Sequence, residues 1–281
     1  MSYNKLLKNG AVIMAAAMLT LTACKHKDTT TTTTPALTNA DDNGGYASDA
    51  AKLETNNNDV ISIADAAAST GSANLRTTSG YPVITNDTAV TPHVLTVDFG
   101  PTDHMCLDGK DRKGEIIVTY IGKYKDSAST HTITYSSYYV NDIQLTGNKK
   151  VQNMGMNTSG QVYYDVTVND SIILAPDSII SWTGSRTRTW LAGYKTDPRS
   201  DDEYLIGGTT TLTRANGNVF TMTITTPLQV AAVCPYIEAG VMTIASTSFT
   251  SGSRTLDYGS GTCDAAATLT IGTHTYAITL R

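Results

Sequence analysis

The sequence predicts an all-β protein, built as an antiparallel sandwich, a barrel or a long antiparallel sheet, with room for one short helix near its N-terminus. Three observations carry that prediction. From Val94 onward, short segments such as "EIIVTYIGKY" and "THTITYSSYYV" alternate β-branched and aromatic residues with polar ones. Turn-forming residues, including Asn141-Asp142 and Asn216-Gly217, separate these segments at short intervals. No segment in this region sustains a helical period.

The elements follow in order. "VISIADAAASTG" (Val60 to Gly71) reads as the short helix, and Pro82 and Pro92 punctuate an extended stretch leading to the first strand. The polar "KDSAS" joins two strands as a hairpin. In "IQLTGNKKVQNMG", Gly147 and Gly155 mark bulges or strand ends. "QVYYDVTV", "SIISWTGSRTRTW", "YLIGGTTTLTR", "VFTMTITTPL", "GVMTIAST", "RTLDYG", "ATLTIG" and "HTYAITL" continue the series to the C-terminus. Threonine on alternate positions suits strands with one face in water.

The 281 residues, 40% hydrophobic and 16% charged, suffice for a folded domain with non-globular N-terminal segments. Lysines and arginines are scattered and the net charge is -5, so no basic stripe is available to neutralise a phosphate backbone. Nucleic acid is not expected as a partner.

The N-terminus carries a targeting pattern. Lys5 and Lys8 precede the uncharged run "AVIMAAAMLTL", which is shorter than the roughly 20 residues of a membrane span. "LTAC" follows, ending at Cys24, and resembles the lipobox of bacterial lipoproteins. That resemblance implies cleavage before Cys24 and acyl chains on its thiol, giving a signal peptide over 1–23 and attachment to a membrane. Residues 24–58 hold six consecutive threonines and "ADDNGGYASDAAKLETNNND", with little apolar content, and read as a flexible tether. The β-rich domain is then expected over 59–281. Without residues 1–23 the chain has 18 basic and 25 acidic residues, so attraction to an anionic lipid surface is not expected.

Three further segments resemble uncharacterised surface or periplasmic lipoproteins of Bacteroidota: "DFG" with "CLDGKDRKGEIIV", "SIISW" with "TRTW", and "CPYIEAGVMTI" with "LDYGSGTCD". The likeness runs from about Val94 to Arg281. It implies an outer-membrane setting, periplasmic or surface-facing, and brings no catalytic residues and no cofactor. Lys25, His26, Lys27 and Asp28 follow the cysteine where surface-exported members often have acids.

Chemical candidates are few. The chain lacks G-x-S-x-G, H-E-x-x-H, a Walker loop and G-x-G-x-x-G, and His93, His104, His131 and His274 stand singly. Asp201, Asp202 and Glu203 offer the carboxylates a glycosidase would need, or simply a solvated loop. Asp98, Asp103, Asp108 and Asp111, echoed by Asp257 and Asp264, form the best calcium candidate; the bland account is that they are turn-forming aspartates. In "LTVDFG" and "RTLDYG" the same Asp-aromatic-Gly order recurs, as expected of two similar strand-end turns. Trp182, Arg186, Arg188 and Trp190 share one strand face if the strand is uninterrupted, with Tyr194 nearby. That mixed face is expected to be partly exposed, as a platform for a glycan, unless both tryptophans pack in the core.

Export places Cys106, Cys234 and Cys263 in an oxidising compartment. Cys234 and Cys263 flank a hairpin turning near Phe249 to Gly252, which brings them opposite one another. A Cys234–Cys263 bridge with Cys106 free is expected, and Cys106–Cys263 is the alternative. A non-enzymatic envelope lipoprotein binding a glycan or a protein fits these features best, ahead of an envelope hydrolase with dispersed acidic residues.

Overall fold

Alternating burial along β-branched and aromatic segments produces one antiparallel sheet whose inner face packs on a helix. The structure, a computed structural model, describes residues 45–70, 80–174, 178–196, 199–250 and 252–280. Cys24, the expected signal segment 1–23 and the part of the expected tether up to residue 44 lie outside the described residues. The helix α1 spans Gly45–Thr70. The strands are β1 (Val83–Asp87), β2 (His93–Asp98), β3 (His104–Met105), β4 (Asp111–Ile121), β5 (Thr130–Val140), β6 (Ile143–Met156) and β7 (Val162–Ile173). They continue as β8 (Ile179–Ala192), β9 (Glu203–Arg214), β10 (Val219–Ala231), β11 (Ala239–Ala245), β12 (Arg254–Ser260), β13 (Ala266–Ile271) and β14 (His274–Thr279).

Each long strand pairs with its neighbour in sequence, and the short β3 pairs with β4 at one side. The sheet ends on β1 and β14 and does not close, so of the three expected architectures the long antiparallel sheet is the one observed. The period-2 pattern explains its layering. In β7, Val162, Tyr164, Val166, Val168 and Ile172 are buried while Asp165, Thr167 and Asn169 face outward. The outward positions form cross-strand rows of hydroxyls, such as Ser185, Thr209, Thr223, Thr243, Thr255 and Thr270 in register.

Local breaks in register steer the strands. Between Lys113 and Glu115 the β4–β5 pairing shifts at Gly114. Gly114 has φ of 80°, and a Cβ there would lie 1.9 Å from the Ser137 carbonyl oxygen, so only glycine fits this bulge. A second shift falls between Asn153 and Gly155 in β6. The expected hairpin of β11 and β12 is present, pairing Ala239 with Ser260 at its open end.

The helix requires a correction. It begins at Gly45, not near Val60, so residues 45–58 belong to the folded domain and not to the tether. Tyr46, Ala47, Ala50, Leu53, Val60, Ile61 and Ala64 are all buried. "ASDAAKLETNNND" looks solvated because it is polar, yet its acids are matched by cations of the sheet, which makes burial tolerable. Among the described residues no helix is long and apolar enough to cross a membrane.

Two outcomes follow. A chain beginning at Asn58 lacks Tyr46, Leu53 and Glu54 and is expected to lose its cooperative thermal transition; Leu53→Ala alone should cost about 2–5 kcal/mol. A cooperative melt of the truncated chain at the full-length temperature would contradict this packing. His131 on β5 stacks on Tyr120 and meets Tyr124 edge-on. Burial pushes its imidazole down to about 4 from the ordinary 6.5, the attraction of Asp65 opposing only in part. The unfolded chain therefore takes up this proton first as pH falls. Stability should decline from about pH 6.5 to about pH 4, by up to about 3 kcal/mol, and His131→Phe should flatten denaturation midpoints across that window.

Candidate ligand pocket and the buried charges around it

The acids of α1 set the geometry. At about 100° per residue, Glu54 and Asp65 fall on one face of the helix and Asp49 and Asp59 on two others. Each meets a cation from the sheet or its loops. Asp49 accepts from Arg214 Nε at 2.9 Å, and Glu54 from Arg186 Nε at 2.8 Å. Asp59 accepts from Arg112 at 2.8 Å and meets Lys110 Nζ at 3.2 Å. Asp65 pairs with Arg199 at 2.5 Å. Arg254 on β12 reaches Tyr46 near the helix start. Cations from β4, β8, β9 and β12 thus approach the helix from different sides, and the sheet curls around it.

These contacts dictate ionisation. Burial opposes charge on Asp59, but Arg112 and Lys110 outweigh it and hold the carboxyl below its usual range. Arg112 and Arg199 are themselves desolvated, and their carboxylate partners keep both guanidinium groups charged. Asp202 behaves in the opposite way. Burial pushes its carboxyl up and Asp65 adds to this, while Arg199 only partly offsets them.

The residues expected to form an exposed ligand face share one face of β8, as their spacing requires, but that face is the interior. Trp182, Arg186, Arg188 and Trp190 are all buried. Trp182 donates to Thr210 at 2.7 Å and Trp190 to Asp202 at 3.3 Å. Half-buried Tyr194 meets Trp190 edge-on, and Lys125 lies over both rings. The expectation of a partly exposed glycan platform is corrected, and its alternative, core packing of both tryptophans, is the one observed: Glu54 of α1 meets Arg186, and the Tyr204 ring of β9 covers Arg188.

The calcium candidates do not converge. Asp98 accepts from the Gly100 amide at 2.7 Å, Asp103 pairs with Lys113 at 3.0 Å, and Asp108 pairs with Arg112 at 2.6 Å. Asp111 takes its backbone place opposite Met105. Asp257 accepts from the Gly259 amide at 2.9 Å, repeating the Asp98 arrangement, so the sequence echo is a shared turn. Asp201, Asp202 and Glu203 likewise separate, toward Thr196, the Trp190–Tyr204 interior and Gln229. Cys234 and Cys263 are joined in a disulfide with Cα atoms 5.8 Å apart, and Cys106 is a free, buried thiol.

A pocket of about 480 Å³ opens between α1 and the segment after β10. One helix face lines it, through Thr55, Asn58, Asp59, Ser62 and Ala66, at the three- and four-residue spacing of a single stripe. Opposite lie Val230 at the end of β10 and, in the following segment tied down by the disulfide, Val233 and Ile237. Arg188 lines the pocket with its guanidinium carbon 3.6 Å from the Tyr204 ring centroid. Its Nη2 donates to Ser62 at 3.3 Å, whereas Nε and Nη1 have no partner. Both polar atoms of the Asn58 amide are also unpartnered. Asp49, Glu54 and Asn58 escape detection in the sequence because they sit in a segment that reads as tether, and Asp59, Ser62 and Asp65 because nothing local marks which helix face meets the sheet. The recurrence of an acid every five or six residues, at Asp49, Glu54, Asp59 and Asp65, is the signal that could have found them.

A scan of family models returns no match to this chain, and neither do comparisons with curated proteins and with solved structures. The pocket is therefore read from its own chemistry.

The charge pairing has a measurable consequence. Glu54→Gln leaves Arg186 buried without a counter-charge and is expected to cost about 3–5 kcal/mol in denaturant unfolding. Glu54→Met combined with Arg186→Met should be markedly more stable than either single change; additive losses would show that the pair is not coupled.

Proposed function

We propose that this protein is a cell-envelope lipoprotein, held to a membrane by acyl chains on Cys24, whose β domain is a binding module taking a small ligand in the pocket beside α1. The observation that carries the binding reading is the pocket itself: enclosed polar donors at one side, an apolar wall at the other, and a volume in the range of small-molecule sites. Its two lining carboxylates support holding over acid–base work, because Asp59 and Asp108 are engaged by Arg112 and Lys110. Export is supported by the targeting pattern before Cys24 and by the Cys234–Cys263 bridge, which belongs in an oxidising compartment.

The test is acyl labelling. In cells given labelled palmitate, the wild-type chain should incorporate label and sediment with membranes, and Cys24→Ala should do neither. Label retained by that variant would overturn the anchoring. Compounds released by denaturing protein taken from native membranes should be recovered unchanged after incubation with fresh protein; recovery of a cleavage product would favour a hydrolase.

A further inference from the structure

Arg188 is an uncommon residue in its setting. It is 1% exposed, yet among the described residues it has no carboxylate within ion-pairing distance, unlike Arg112, Arg186 and Arg199 in the same interior. The Tyr204 ring and the Ser62 hydroxyl are its contacts, and they supply no negative charge. A buried cation is stabilised by a counter-charge, and every other buried cation facing α1 on β4 and β8 has one. The pocket is the space from which such a charge can come. Asn58, 8% exposed and without a partner on either side-chain atom, adds a donor from the helix face of that space.

The remaining walls specify the rest of the ligand. Val230 and Ile237 are buried, whereas Val233 and Leu107 at the mouth are 70% and 78% exposed. Large apolar side chains exposed around an opening mark a surface made for apolar contact. The disulfide at Cys234 fixes the Val233 side of this rim. Asp59, Asp108, Lys110 and Arg199 also line the pocket, but each is already held in an ion pair, so the unmatched charge offered to a ligand is the single positive charge of Arg188, which suits a singly charged head.

We infer that the pocket binds an organic monoanion, a carboxylate with an apolar body, whose acid group meets Arg188 and Asn58 and whose body lies along Val230, Val233 and Ile237. This rests on the binding reading above and names the ligand class for the same site. The polar end is selected by charge, and the apolar end by the wall after β10.

Titration calorimetry of the full-length chain with octanoate, octanol and inorganic phosphate tests it. Octanoate should bind saturably and at least about tenfold more tightly than octanol, because a charge-assisted hydrogen bond is lost in the alcohol. Arg188→Gln should abolish the preference for acid over alcohol. Val233→Glu, at an exposed site, should keep the wild-type melting temperature and weaken octanoate more than octanol. If neither octanoate nor octanol binds, the pocket is not a ligand site and the binding reading fails. If both bind equally and Arg188→Gln changes neither, the pocket stands and the monoanion assignment is overturned. Phosphate binding as tightly as octanoate would also overturn it, since the apolar body would then play no part.

Discussion

A helix that carries carboxylates on several faces can be enclosed only if each of them finds a cation where it sits. Asp49, Glu54, Asp59 and Asp65 do so, and the partners Arg214, Arg186, Arg112 and Arg199 come from separated parts of one sheet and the turn before β9. The penalty for leaving either member of such a pair buried alone is several times the net gain from the pair. The pairs therefore act less as a source of stability than as a condition on geometry. They fix the rotation and depth of α1, and through it the curl of the strands that supply the arginines.

The same condition explains why an open sheet suffices. A closed barrel satisfies its interior by packing across its own axis, whereas this sheet packs its inner face on the helix and leaves β1 and β14 as edges. The aromatic residues around α1 continue that design. Tyr46 contacts Phe220 and Phe249 at one end, and Tyr204 contacts Trp190 farther along. Apolar area supplies the driving force for docking, and the ion pairs decide which docking is allowed.

Arg188 stands apart within this scheme. Its neighbours on β8 and in the turn before β9 are neutralised by the helix, while it lies on the Tyr204 ring beside the pocket. Asp202, the nearby acid of this end, is turned to Arg199, Trp190 and Tyr204. Among the described residues the interior thus leaves Arg188 without a carboxylate beside an opening with an apolar rim, and the proposed ligand class follows from that imbalance.

Much of the fold was legible in the sequence. Alternation along "QVYYDVTV" and "THTITYSSYYV" identifies strands and their inner residues, because the side-chain period of a strand is a local property. The β11–β12 hairpin is local in the same sense, and the Cys234–Cys263 bridge lies just beyond its open end. The shared face of Trp182, Arg186, Arg188 and Trp190 was equally readable. Its direction was not, since a mixed face becomes interior only when distant groups arrive to meet its arginines, Glu54 for Arg186 and the Tyr204 ring for Arg188. For the same reason the first half of α1 read as tether: Asp49, Glu54 and Asn58 look solvated until the sheet surrounds them. The pocket has no sequence signature, because its helix donors Asn58 and Ser62 lie more than a hundred residues from Arg188 and from the Val230–Ile237 wall and are brought to them only by the whole fold. The sequence by itself determined strand, turn and face; only the tertiary structure decided which face is inside, because that depends on charge pairing across the chain and not on any local period.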